Sequence, residues 1–136
     1  MKTESLELLE KAKTISDDIN KRIDPLLPRQ DQDKLNEITK ETQDCKKELV
    51  KDADEGKMSQ NYSVYQQAEL DLEEARRKAE LVLESLVPVE TDALKKDIEK
   101  KIEQAYSIES KLSTNKDIEF VQDTSHLIYD YEMQGA

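Results

Sequence analysis

His126 is the one histidine of the chain, and Asp123 lies three residues before it. On a helix that spacing puts the carboxylate and the imidazole on one face. A di-iron site of the bundle type needs two Glu-x-x-His pairs and two further inward carboxylates. One histidine cannot supply them, so His126 reads as a surface or boundary residue. Cys45 is the sole cysteine. It falls on an apolar seam, which predicts a buried and inert thiol that behaves as a small hydrophobe.

Asp52-Ala53-Asp54-Glu55-Gly56 sets acids beside a glycine, as a calcium loop does. With Gly56 in the sixth position, however, Lys51 and Ala53 would stand where the first two ligands belong. A turn that ends a helix accounts for these residues instead. The only glycines are Gly56 and Gly135, so a glycine-rich phosphate cradle is excluded. With 32 acidic residues, carboxylate pairs occur everywhere and none is informative. General-acid chemistry would need one of them in an apolar pocket. The chain is expected to be no enzyme, with no metal or cofactor.

The other charged motif is Arg76-Arg77-Lys78. Glu73 and Glu74 stand four residues before Arg77 and Lys78, the favourable order for pairs on a helix surface, so a solvated helix face is expected. The formal net charge is −11. Nucleic acid and an anionic membrane surface are disfavoured as partners on that ground. A single cysteine suits a reducing compartment, and the first residues turn acidic without the apolar run of a secretory signal. No run of about 18 uncharged residues occurs that could span a membrane. A cytoplasmic location is expected.

The elements that carry these residues follow from punctuation and period. Charged residues make up 39% and hydrophobic ones 35%, which suits slender helices with one buried stripe each. Pro25, Pro28, Gly56 and Pro88 break the chain at regular intervals. Between them the sequence predicts an all-α, antiparallel up-down bundle of four amphipathic helices, about 3–24, 30–54, 59–86 and 91–112. The first carries Leu8, Ala12, Ile15, Ile19 and Ile23, and the second Leu35, Ile38, Thr42, Cys45, Leu49 and Ala53. In the third, Tyr65, Ala68, Leu72, Ala75, Ala79, Val82 and Leu86 step by 3 and 4 in strict alternation, an unbroken heptad seam. The fourth carries Leu94, Ile98, Ile102, Ala105, Ile108 and Leu112, with Thr91 or Asp92 as its cap. Short connections should make consecutive helices antiparallel neighbours.

Residues 114–136 complete a single domain of 1–136 as an acidic segment with three of the six aromatics, Phe120, Tyr129 and Tyr131. A short helix packed on the bundle or extending from its last helix is expected, although Leu127, Tyr129, Tyr131 and Met133 also alternate as a strand would. Tyr129-Asp130-Tyr131-Glu132 is an acidic tyrosine pair of the kind kinases modify, but tyrosine in a packing face is the better reading. By elimination the function lies in surface. The expected role is a non-catalytic module that binds another protein, as adaptor, scaffold or chaperone-type subunit. Phe120, Leu127, Tyr129 and Tyr131 are its expected contact residues, because aromatics give contact area at little rotamer cost. The alternative is a structural homo-oligomer that self-associates through the third-helix heptad.

Overall fold

A computed structural model describes the backbone of residues 3–29, 31–86 and 88–135, and the side chains of 5–27, 31–86 and 92–116. The fold is all-α: α1 (Thr3–Ile23), α2 (Gln32–Asp54), α3 (Gln60–Ser85) and α4 (Pro88–Gly135). A 3-10 segment, Asp24–Arg29, joins α1 to α2.

Local chemistry sets the ends. Asp31 caps α2, its Oδ1 accepting from the amides of Asp33 at 3.0 Å and Lys34 at 3.3 Å. At the other end Gly56 takes φ 77°. The Gly56 amide donates to Ala53 and the Lys57 amide to Asp52. That is the Schellman closure, and it explains the Asp52–Gly56 stretch without any metal. Ser59 caps α3 through its Oγ, which accepts from the Tyr62 amide at 3.0 Å. Neither Thr91 nor Asp92 caps α4. That helix begins at Pro88, where a ring without an N–H and with a preset φ suits the first turn. Of the two arrangements expected for the C-terminal segment, extension of the last helix is the one found. The segment's backbone continues α4, which at 48 residues is about 72 Å long against about 39 Å for α3.

Cross-helix pairs fix the directions. Arg76–Glu109 and Lys116–Glu69 set α3 and α4 antiparallel, as Lys46–Asp71 and Arg77–Glu41 do for α2 and α3. The last three helices therefore alternate in direction. One continuous apolar cluster holds three of them together. It takes Ala12, Ile19 and Ile23 from α1; Tyr65, Leu72, Ala75, Ala79 and Val82 from α3; and Ile98, Ile102, Ala105, Ile108 and Leu112 from α4. Each fully buried aliphatic here contributes about 1.5–3 kcal/mol. The alanines let the backbones approach closely.

Consecutive helices are not all neighbours. The main packing pairs are α3 with α4, α1 with α3, α1 with α4, and α2 with α3. Between α1 and α2 lies the 3-10 segment, whose Leu26 and Leu27 pack against the core. The second helix starts beyond it and lies on α3.

This placement also corrects the expectation for Cys45, which is exposed. A helix with a single partner needs only a narrow covered stripe. On α2 that stripe runs from Leu35, Ile38 and Thr42 through the half-buried Lys46 and Leu49 to Ala53, leaving Cys45 to one side.

Candidate protein-binding surface

The basic triplet on α3 is no single solvated patch, because each member has its own partner. Lys78 pairs with Glu74 at 2.8 Å, as the i,i+4 spacing predicts, whereas Arg77 reaches Glu41 of α2 at 2.9 Å rather than Glu73. Arg76 turns into the α3–α4 interface with its side chain only 13% exposed. Its Nε donates to Glu109 at 2.8 Å and its Nη1 to Glu80 at 2.9 Å. Nη1 also reaches the Tyr106 hydroxyl at 3.0 Å, and the guanidinium lies 4.2 Å from the Tyr106 ring centroid. That hydroxyl in turn donates to Glu80 at 2.9 Å.

The cluster is electrostatically lopsided. Burial works against the Arg76 charge, but Glu109 and Glu80 together outweigh it and raise the Arg76 pKa. Burial raises the Glu109 carboxyl above the usual range. Arg76 pulls it back only in part, and Glu73 and Glu69 push the same way as burial. Tyr106 is raised mainly through its bond to Glu80. Two carboxylates share one cation, so the cation is content and the buried acid is not. The cluster is a polar lock between α3 and α4, every member engaged with another. The sequence hinted at it only through Arg76 and Glu80 at i,i+4; nothing in the sequence joined them to Tyr106 and Glu109.

A different surface is open. A groove of about 500 Å³ runs along α1 and α3. Leu9, Val64 and Ala68 make one end apolar. Val64 is 40% exposed, an unusual position for valine on a helix that is otherwise largely covered. Towards the other end stand Lys13, Asp17, Asn20, Asp71 and Glu74. Asp71 and Glu74 already hold Lys46 and Lys78, while the buried Ser16 hydroxyl donates to the Asp71 carbonyl at 3.5 Å and so ties the two walls together.

The heptad seam of α3 points inward. Tyr65, Leu72, Ala75, Ala79 and Val82 are each at most 1% exposed, within the chain's own core. The side chains of Phe120, Leu127, Tyr129 and Tyr131, like those of Asp123 and His126, lie outside the described residues. Among the described residues no group of three His, Cys, Asp or Glu side chains could hold a metal ion. Nor, among them, is any helix long and apolar enough to cross a membrane. Set against family models, curated proteins and solved structures, the chain finds no match.

Proposed function

We propose that the chain is a non-catalytic protein-binding module, an adaptor, scaffold or chaperone-type subunit, that seats a basic amphipathic helix of a partner in the α1–α3 groove. The observation that carries this reading is the groove itself. It is apolar at the Leu9–Val64–Ala68 end and polar along the rest of its length, where Asp71 and Glu74 are held by Lys46 and Lys78 and Asp17 stands with Lys13. Helix-in-groove recognition needs an apolar stripe for anchors and fixed charges for register. A chain of net charge −11 also steers a basic partner towards itself. Self-association through the α3 heptad is the weaker reading, since those side chains are already used inside the chain. The aromatic residues Phe120, Tyr129 and Tyr131, with Leu127, are proposed as a further contact on the carboxyl-terminal half of α4, from their concentration in the sequence.

Photo-crosslinking residues placed at Asn20 and Gln67, with a control at the exposed Glu48, would test the reading. A partner captured from the two groove positions, absent from position 48 and lost when Val64→Asp is added, supports it. Equal capture from all three positions overturns it. Triple alanine substitution of Phe120, Tyr129 and Tyr131 asks separately whether the tail takes part. Unchanged capture would remove the tail from the contact.

A further inference from the structure

The four helices are held unequally, and the inequality defines a second surface. The third helix packs against all three others, whereas among the described residues α3 is the one main packing partner of α2. No residue of α2 belongs to the main apolar cluster. Its own buried residues are two aliphatics, an alanine and a threonine, Leu35, Ile38, Ala53 and Thr42. Two ion pairs join it to α3: Glu41 with Arg77 at 2.9 Å and Lys46 with Asp71 at 2.6 Å. In both pairs the side chains are between a third and a half exposed, so salt screens them. Each end of α2 is a bend rather than a continuing helix, the 3-10 segment before it and the Gly56 turn after it. A helix with few buried apolar contacts and exposed charge pairs belongs to the low-stability end of a fold, where elements open as units.

The pairs also specify what fits the seat. An acid on α2 faces a base on α3, and five residues later a base on α2 faces an acid on α3. Reversing the direction of the bound helix, or exchanging its charges, would set like charges together. Ile38 contributes the aliphatic anchor beside Arg77 and Leu81.

We propose that α2 undocks as a unit from a self-sufficient α1–α3–α4 bundle, and that the face of α3 it uncovers binds an amphipathic helix carrying α2's own pattern of aliphatic anchors, acid and base. This surface adjoins the α1–α3 groove, with Asp71 at the border of both, and the inference stands whether or not that groove binds a partner.

Native-state hydrogen exchange on the full chain tests the first half without any substitution. Amides of α2 should exchange at least about tenfold faster than those at the centre of α3. Equal protection would overturn the proposal. The second half uses Thr42→Pro, which breaks α2 in its middle. The full-length variant should keep protection in α1, α3 and residues 92–116. A labelled synthetic peptide of residues 31–55 should then bind it at least about tenfold more tightly than it binds the unsubstituted chain, whose tethered α2 occupies the seat. A peptide with Glu41→Lys and Lys46→Glu should bind more weakly at low salt. Loss of protection throughout the Thr42→Pro chain would show that α2 is integral. A folded variant that ignores the peptide would show that the seat binds nothing. Either result overturns the proposal.

Discussion

Replacing Arg76 with Met keeps the aliphatic stem and removes the charge, which isolates what the guanidinium does for α3 and α4. Removing one partner of a fully buried ion pair costs about 3–5 kcal/mol, because the other charge is left without compensation. An exposed pair is worth about 0–1 kcal/mol. Arg76 and Glu109 are each 13% exposed, near the buried limit, whereas Glu80 at 36% lies towards the exposed one. The Tyr106 contact adds a little on an exposed ring. A loss of about 2–3 kcal/mol at pH 7 follows, read from urea unfolding as a lower midpoint at unchanged slope.

The sign of its pH dependence gives a sharper check. Burial already holds the Glu109 pKa above its ordinary value, and Arg76 is what restrains it. A carboxyl with a higher pKa in the folded chain favours folding below its unfolded pKa and loses that advantage as the pH rises through the folded one. Without Arg76 that rise grows, so the deficit of Arg76→Met should be largest at neutral pH and shrink on acidification towards the Glu109 range. Glu109→Gln should cost less than Arg76→Met at pH 7, since the amide oxygen still accepts from Nε and no longer carries a buried charge. An Arg76→Met deficit below about 0.5 kcal/mol, or one that does not change with pH, would refute the lock.

Three further outcomes follow from the packing. Cys45, exposed on α2, should react with a water-soluble alkylating reagent as fast in the native chain as in denaturant, and Cys45→Ser should change stability by no more than about 0.5 kcal/mol. Gly56→Ala should destabilise by about 1 kcal/mol in a thermal or urea titration; the φ of 77° is the whole cause, since an added Cβ would meet nothing within 4 Å. Leu72→Ala, at 0% exposure in the three-helix core, should cost about 3–4 kcal/mol, and Ile38→Ala, at 7% on α2, less than that. If the two cost the same, α2 is as firmly held as the core.

What the sequence made legible was periodicity, and what it hid was the number of partners. The stripes on α1, α3 and α4 read correctly because each of these helices packs on at least two others. A wide buried face is forgiving: a residue off its centre is still covered, and every seam position of α4 from Ile98 to Leu112 is buried. The stripe on α2 has one neighbour, and there the same angular error exposed Cys45. A period fixes which residues share a face but carries no information on how many helices cover it. That depended on how the helices pack together, a tertiary event with no sequence period.

The charged residues failed in the same way. Glu74–Lys78 was visible because both members lie on one helix. Arg77 took a partner from α2 and Arg76 took one from α4, at separations of 36 and 33 residues, where spacing rules have no reach. Both partners follow from the helix order around α3, which only the packed chain reveals. A helix packed against three others must neutralise its charges against each neighbour separately. Arg76 does so towards α4 and Arg77 towards α2, adjacent residues pointing about 100° apart. The triplet that looked like a patch is the seam between two interfaces. The open groove lies on the remaining side, along α1 and α3.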